Sequence, residues 1–308
     1  MALVGAAHAP GQATGTAAPD GGERKGGRLP YLLLLPGMLW LGLFFALPIV
    51  LLFITSLMVP VPGGEVGEYA PALRFANYAD ALGQYWPQFL RSFGYGLVST
   101  GLALVIGYPL AYTIAVRARG HRFLQQVLLV MVIAPFFTSF ILRTIAWRQV
   151  LADESVVVSA LKALMLLPDD ARLTATPVAV VAGLTYNFLP FMTLPIYASL
   201  ERLDLRLIEA GRDLYASAAQ TFRRVTLPLS MPGVVAGTLL TFIPATGDYV
   251  NAALLGTSRT AMIGNVIDSR FFRVVDYPTA AALSFLLMGT IVVLVALYVR
   301  RSGTEDLV

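Results

Sequence analysis

The stretch Glu201–Pro232 reads ERLDLRLIEAGRDLYASAAQTFRRVTLPLSMP and is polar, although apolar runs flank it on both sides. The preceding run covers residues 173–200 and the following one residues 229–255, and each is long enough to cross a bilayer. A polar segment between two such runs must stay in water while both of its neighbours enter lipid. We therefore interpret this stretch as a soluble docking element held between two membrane spans.

The same stretch predicts two short helices that meet at an angle. Three leucines recur at helical spacing near one face of the first helix: Leu203, Leu207 and Leu214. Ser217 is a typical N-cap for a second helix that runs to about Arg224. Pro228 and Pro232 lack the N–H that a helix interior requires, so they predict a break before the next apolar run.

Composition excludes most soluble functions. Of the 308 residues, 57% are hydrophobic and 13% are charged, whereas about a quarter are charged in an ordinary soluble domain. The chain has no Cys and two His, which excludes disulfides, cysteine-ligated zinc, iron–sulfur clusters, thiol catalysis and a His-rich metal site. The net charge is +4, but the sequence contains no basic patch interleaved with aromatic residues, which argues against a nucleic-acid partner. No cofactor is predicted.

Six apolar runs predict an all-α integral membrane protein with six transmembrane helices. They are Tyr31–Val59, Ser92–Val116, Phe123–Trp147, Leu173–Leu200, residues 229–255 and Tyr277–Val299. Pro36 and Pro48 predict kinks in the first span. The membrane domain is expected to cover residues 30–301, between a disordered tail at 1–29, rich in Ala, Gly and Pro, and a C-terminal tail at 302–308.

Positive charge predicts how these spans are oriented. Most Lys and Arg residues fall in the two tails, in the link 117–122 and in the polar stretch. Because positively charged segments favour the cytoplasmic side, both termini are expected in the cytoplasm of a bacterium, with the spans in its inner membrane. Three Arg residues are exceptions, because they lie in the loop before the last span, on the outer side: Arg259, Arg270 and Arg273.

The polar stretch also carries a recognisable motif. Glu209-Ala210, followed sixteen residues after Glu209 by Val225-x-Leu227-Pro228, resembles the "EAA" cytoplasmic loop of ABC importer permeases. In that family the loop is a coupling helix that lies in a groove of an ATP-binding subunit. The resemblance implies a coupling loop at residues 201–228, with these ATPase-coupling residues: Glu209, Ala210, Gly211, Arg212, Asp213 and Tyr215.

Two residues depart from that motif. Gly211 stands where the general motif has Ala, and Tyr215 stands where it has Gly. A Tyr is poorly suited to a turn that needs a positive φ. We therefore expect this turn to be built differently from the family's turn.

A closer resemblance extends over nearly the whole chain after the tail. The segments GYPLA at Gly107–Ala111, FIPATGDYV at Phe242–Val250 and IGNVI at Ile263–Ile267 are similar to the B-type permease of spermidine/putrescine ABC importers. The resemblance implies a type I importer fold embedded in membrane lipid. It also implies as partners a paralogous permease, two copies of an ATP-binding subunit, and a periplasmic or lipid-anchored substrate-binding protein.

No nucleotide-binding motif accompanies this resemblance. The pattern G-x-x-x-x-G-K-[S/T] does not occur in the sequence. The chain is therefore not expected to be an enzyme, and ATP hydrolysis is expected in a separate subunit.

Asp248 is the one carboxylate inside an apolar run, and an acid in a membrane is costly unless it faces a cavity or a partner. It could be a weak cation site on the substrate pathway, with cation–π contacts from four rings: Tyr249, Phe136, Phe137 and Tyr186. Alternatively, Asp248 caps exposed N–H groups at a helix break after Gly247. The sequence alone is compatible with both interpretations of Asp248.

Other classes of function fit less well. A secondary transporter needs ionisable residues deep in several spans, and a membrane enzyme needs clustered acids, bases or nucleophiles. Among ABC importers, permeases for ferric ion, sulfate or other small organic compounds share the fold and the loop, so they remain alternatives to a polyamine permease.

Overall fold

The computed structural model of the protein describes residues 29–301. The predicted disordered tail, apart from Leu29, and the predicted C-terminal tail at 302–308 lie outside the described residues. The chain divides into two compact units, whose described parts are residues 29–50 and 51–301.

The first unit is helical and apolar on its surface. Its described elements are α1 (Leu29–Leu41), a π-helical turn (Gly42–Ala46) and the start of α2 (Leu47–Ser56). The residues from Leu33 to Pro48 are exposed, and a helix that is apolar all round is typical of a membrane span. Pro36 does not interrupt α1, whereas the π-helical turn ends two residues before Pro48. A proline ring clashes with the carbonyl four residues earlier, which explains the irregular turn there.

Helices make up most of the second unit. In chain order they are α3 (Ala76–Tyr112), α4 (Arg122–Ile133), α5 (Phe140–Val150), α6 (Val156–Ala163), α7 (Pro177–Glu201), α8 (Leu205–Asp213), α9 (Ala218–Thr221), α10 (Leu227–Gly247), α11 (Val250–Leu255), α12 (Ile263–Asp268) and α13 (Tyr277–Arg301). A hairpin of two short antiparallel strands, β1 (Met58–Pro60) and β2 (Tyr69–Pro71), precedes α3. The sequence did not predict this hairpin, whose strands have only three residues each.

Within residues 29–301, five helical stretches are long and apolar enough to cross a membrane: Leu33–Ser56, Ala76–Arg117, Pro177–Glu201, Ala218–Gly247 and Tyr277–Arg301. A bent pair, Arg122–Phe137 and Phe140–Val150, brings the number to six if the pair is one span. Its two parts meet at 102°, so the predicted run Phe123–Trp147 is broken. The break follows a 3-10 turn that contains Pro135, because proline disfavours a continuing α-helix.

The second span is longer than its apolar run indicates. The predicted span begins at Ser92, but α3 begins at Ala76, and with the π-helical turn after it the helix reaches Arg117 over 42 residues. At a rise of about 1.5 Å per residue, such a helix is roughly twice as long as the hydrocarbon core is thick. The first turns of α3 therefore lie beyond the membrane, where an apolar run does not mark the start of a helix.

The helices α3, α7 and α10 form the core of the second unit and approach closely at small residues. A Cβ added at Gly233 of α10 would lie 2.6 Å from the carbonyl oxygen of Pro195 in α7 and 2.6 Å from the Cβ of Ser199. At Gly237 it would lie 2.8 Å from the carbonyl oxygen of Met192. Since both carbonyls belong to backbone, this crossing depends on glycine.

We expect Gly233→Ala to destabilise the second unit, because the added methyl must push α10 away from α7, at a cost of about 1–3 kcal/mol. Gly101→Ala in α3 is the matched control, since a Cβ there meets nothing within 4 Å. The measurement is thermal unfolding of both purified variants in the same detergent. Equal melting temperatures for the two variants would contradict the close crossing.

Candidate functional site

The predicted coupling loop lies at one end of the second unit, which we call the loop end. Arg119, in the link between α3 and α4, donates hydrogen bonds to the carbonyl oxygens of Leu203 (3.0 Å) and Glu201. Gln125 of α4 donates to the Glu201 carboxylate at 2.9 Å. These contacts fix the base of the loop to the neighbouring span. From the sequence, the positive charges of the link 117–122 were expected only to orient the spans, because no local pattern indicates this structural role of Arg119.

Two short helices form the loop, as the sequence predicted. They are α8 and α9, and Ser217 is the N-cap of α9. The Ser217 hydroxyl accepts from the backbone N–H of Gln220 at 3.3 Å, and the Gln220 side chain accepts from the N–H of Ser217 at 2.9 Å. This reciprocal capping box satisfies two N–H groups that a helix start otherwise leaves unpaired.

The predicted break before the next apolar run is wrong. The chain is helical without interruption from Ala218 to Gly247, and a π-helical turn at Phe222–Thr226 precedes Pro228. A π-helical turn shifts the hydrogen-bond register, so the proline ring avoids the carbonyl that it would meet in a regular helix. The second helix of the loop therefore continues directly into α10, so α9 and the span form one continuous helical segment.

The apolar face of α8 also differs from the predicted one. Leu203 and Ile208 are buried, while Leu207 is 48% exposed and Leu214 is 81% exposed. Gly211 faces α9, since an added Cβ would lie 3.1 Å from the Thr221 hydroxyl. The α8–α9 contact thus uses the small residue at position 211, and the leucines toward the tip remain uncovered.

Tyr215 forms the turn between α8 and α9. Its φ is +58°, and the N–H of Ala216 donates to the carbonyl of Gly211 at 3.1 Å, as in a Schellman motif whose left-handed position is Tyr215. The expectation of a differently built turn is therefore wrong, because Tyr adopts the conformation that Gly favours. This conformation costs an L-residue about 1–2 kcal/mol. Tyr215 is 98% exposed, so packing against the part of the chain that the structure describes does not offset this cost.

The remaining predicted coupling residues lie on α8. Glu209, Ala210 and Asp213 are exposed. Within residues 29–301, the side chains of Glu209 and Asp213 make no hydrogen bond or ion pair. Arg212 belongs to the same helix. The loop thus presents unpaired carboxylates beside the uncovered Leu214 and Tyr215.

Asp248 lies at the opposite end of α10, in the short break before α11. One carboxylate oxygen accepts the backbone N–H of Asn251 at 2.7 Å, and the residue is 8% exposed. This geometry is that of a helix cap. Its neighbour Tyr249 has a 48% exposed side chain, and the Tyr249 carbonyl accepts from Asn265 at 2.8 Å.

The aromatic residues predicted for a substrate pathway lie on other elements. Phe136 packs against Phe191 of α7 with ring centroids 5.0 Å apart, and Tyr186 packs against Trp147 of α5 at 5.2 Å. Phe137 is 88% exposed. Among the described residues, no ring contact or hydrogen bond joins these three to Asp248.

A buried polar cluster beside Asp248 was not predicted. Asn187 of α7 donates to the Thr144 hydroxyl of α5 at 3.1 Å and to the Asn251 side chain of α11 at 3.0 Å. All three residues are at most 1% exposed. The cluster therefore ties the second half of the bent span to the break after α10. The signal that could have revealed it is the single Asn in each of the runs 173–200 and 229–255, whereas Thr144 is one of two Thr residues in its run.

The hydroxyl of Ser92 and the guanidinium of Arg91 hold the chain segment between α10 and α13 against α3. Ser92 accepts the N–H of Ile263 at 2.7 Å, and Arg91 donates to the carbonyl of Ala261 at 2.8 Å. The Tyr69 hydroxyl of the strand hairpin donates to the carbonyl of Val275 at 2.7 Å. We call this region, remote from the coupling loop, the far end.

Helices long and apolar enough to cross a membrane, with an exposed loop at one end of the second unit, define a multi-span membrane protein. Residues 103–302 match the family described as the binding-protein-dependent transport system inner membrane component. The chain belongs to this family, and it is therefore a membrane component of an importer rather than a catalytic subunit.

Curated relatives carry more specific names. The chain is 36% identical to the spermidine/putrescine transport system permease protein PotB of Salmonella typhimurium (strain SL1344), over 85% of this chain and 90% of the relative. It is 35% identical to PotB of Escherichia coli (strain K12), over 85% of this chain and 94% of the relative.

A solved structure gives the same fold. A chain from the crystal structure of a bacterial ABC transporter involved in the import of the acidic polysaccharide alginate superposes with a TM-score of 0.68. The match covers 90% of this chain and 96% of that chain at 19% identity. The fold is therefore that of an ABC importer permease.

The cap formed by Asp248 gives a test of stability. We expect Asp248→Asn to keep the acceptor for the Asn251 N–H and to unfold within a degree or two of the parent, whereas Asp248→Ala loses about 0.5–2 kcal/mol. Thermal unfolding of the purified variants measures the difference. A loss with Asn as large as the loss with Ala would show that the negative charge, and not the cap, is what the site requires.

Proposed function

We propose that this chain is the permease subunit of an ATP-driven polyamine importer and forms half of its translocation pathway. The observation that carries the proposal is the 35–36% identity to two spermidine/putrescine permeases over 85% of the chain. Because only 15% of the chain is left unmatched, the match includes the coupling loop and the spans on either side of it. Spermidine, putrescine or a similar organic cation is therefore the proposed cargo.

In this proposal the coupling loop binds a separate ATP-binding subunit through six residues: Glu209, Ala210, Gly211, Arg212, Asp213 and Tyr215. The exposure of Glu209 and Tyr215 supports this assignment. So does the backbone of Tyr215, because a strained conformation at an uncovered residue is typical of functional sites. Contact with a partner would bury the Tyr ring and could offset that strain.

The loop can transmit motion because both of its ends are fixed. Arg119 holds the start of the loop, and α9 is continuous with α10. When ATP closes the ATPase dimer, a loop seated on that dimer moves with it and turns α10. Since α10 packs tightly on α7 at Gly233, the two helices move together. The spans then open outward to receive the cargo, and hydrolysis resets the inward-facing state.

The proposed assembly contains this chain, a paralogous permease, two ATP-binding subunits, and a periplasmic or lipid-anchored substrate-binding protein. In this arrangement the loop end and both termini are cytoplasmic, and the far end faces the binding protein. The membrane domain covers residues 30–301, with the coupling loop at 201–228.

For the pathway itself, the geometry favours Asp248 as a cap of the α10–α11 break over Asp248 as a cation ligand. The carboxylate is buried and already bonded to the N–H of Asn251. Phe137 and Tyr249 have exposed rings that can make cation–π contacts with an alkylammonium, whereas Phe136 and Tyr186 are packed against α7 and α5.

Uptake by the reconstituted complex tests the function. In proteoliposomes with the binding protein of the same importer, we expect labelled spermidine to enter only with ATP, and unlabelled putrescine to compete. Sulfate and ferric ion should not compete. Competition by sulfate or ferric ion, with no effect of putrescine, would contradict the proposed cargo.

The same assay tests the loop. Glu209→Ala should reduce uptake at least tenfold, because removing one partner of a desolvated charge pair costs about 2–5 kcal/mol. Glu154→Ala, which removes an exposed carboxylate between α5 and α6, is the control and should transport like the parent. Normal uptake with Glu209→Ala would exclude Glu209 from the coupling contact.

A further inference from the structure

A cavity of about 810 Å³ opens at the far end, in the segment between α10 and α13. Its polar lining comes mainly from one loop and from the start of α3: Tyr85, Tyr249, Asn265, Asp268, Arg270 and Arg273. It contains two guanidinium groups and the carboxylate of Asp268, and Arg270 pairs with Asp276, so the excess positive charge of this region comes from Arg273 and the neighbouring Arg259. Among the residues that the structure describes, its lining contains no member of the coupling loop.

Arg270 is built into the wall of this cavity. Its Nε atom donates to the Tyr85 hydroxyl at 2.6 Å, its guanidinium lies over the Tyr85 ring at 5.3 Å, and its Nη1 atom is 3.2 Å from the Asp276 carboxylate. About a quarter of the side chain remains exposed. Arg270 is thus oriented and partly neutralised by its own chain.

Arg273 and Arg259 differ from Arg270 in that they have no such partners. Both are exposed, and within residues 29–301 neither side chain makes a hydrogen bond or ion pair. Arg273 lines the cavity, and Arg259 follows Ser258, which lines it too. Arg273 and the neighbouring Arg259 therefore offer unpaired positive charge in this region, beside the Asp268 carboxylate that also lines the cavity.

In the proposed topology, Arg259, Arg270 and Arg273 lie on the outer side of the membrane, so they do not help to orient the spans. Arg residues on the outer side oppose the preferred topology of a membrane protein. They also repel a cationic cargo, so they are poor ligands for a polyamine. Arg259 and Arg273 therefore disfavour both the topology and the approach of the cargo, and no group within the described chain pairs with them. An acidic partner that pairs with them would account for their presence.

The distance of the cavity from the hydrocarbon core favours a protein over a lipid headgroup as its binding partner. Tyr85 lies seven residues before Ser92, where the apolar run of α3 begins. At about 1.5 Å per residue, this places Tyr85 roughly 10 Å outside the hydrocarbon core. A partner that arrives from the outer aqueous side reaches this position directly.

We propose that this cavity receives acidic side chains of the substrate-binding protein, with Arg273 and Arg259 steering the approach and Arg270 as the fixed inner contact. The inference rests on the proposed function, since it assigns a surface to one of its partners. Its physical basis is charge complementarity, which acts mainly on the association rate and falls as salt screens it.

The test measures binding of the importer's own binding protein to the whole transporter complex in phosphatidylcholine nanodiscs. Arg273→Glu should weaken binding about tenfold at low salt, mainly through slower association. The difference should largely disappear at about 1 M salt, where the Debye length is about 3 Å. Arg273→Lys, which keeps the charge, should bind like the parent.

Arg172→Glu is the matched control. Arg172 is an exposed Arg on the loop before α7, paired with Asp153 at 3.4 Å and outside the cavity. That loop is also at the far end, since the N–H of Ala175 donates to the carbonyl of Leu255. We expect Arg172→Glu to bind like the parent.

The outcomes separate the two claims. If the parent complex does not bind the binding protein at all, the proposed function fails and this inference fails with it. If the parent binds and Arg273→Glu binds equally well at low salt, only this inference is wrong. An effect of Arg273→Glu that appears only after phosphatidylglycerol is added to the nanodiscs would assign the cavity to a lipid headgroup and would overturn the proposal.

Discussion

In a bilayer, every backbone N–H and C=O group must find a partner within the protein, because the hydrocarbon core offers none. The chain interrupts its membrane helices at the bend between α4 and α5 and at the break between α10 and α11. Asp248 accepts an N–H group that the second break leaves free. Thr144, Asn187 and Asn251 then connect the two interruptions through α7. Buried polar side chains thus link the second half of the bent span, α7 and the segment after α10.

The two ends of the second unit show how such a core can serve transport. At the loop end, Arg119 and the capping box of Ser217 make a rigid element whose tip is uncovered. At the far end, Arg91 and Ser92 hold the segment after α10 against α3. The close crossing at Gly233 lies between these ends. In the proposed mechanism, a displacement of the coupling loop would therefore reach the far end through packed helices rather than through a flexible linker.

Much of this architecture follows from the sequence, since hydropathy and capping signals are local. The apolar runs predicted the spans, and Ser217 predicted the start of α9. The errors arose where tertiary context decides. Pro228 does not end a helix because a π-helical turn accommodates it, and Tyr215 adopts a left-handed backbone that its side chain disfavours. The Thr144–Asn187–Asn251 cluster joins residues from three elements, so no single segment shows it.

The central claim is that the strained, uncovered tip of the coupling loop contacts the ATP-binding subunit. A photo-crosslinking amino acid, p-benzoylphenylalanine, placed at Tyr215 in the assembled complex tests this most directly. The control position is Met165, which is 93% exposed with a φ of +57° and lies between α6 and α7. Irradiation should link position 215, and not position 165, to the ATP-binding subunit. No adduct from position 215, or equal adducts from both positions, would contradict the claim.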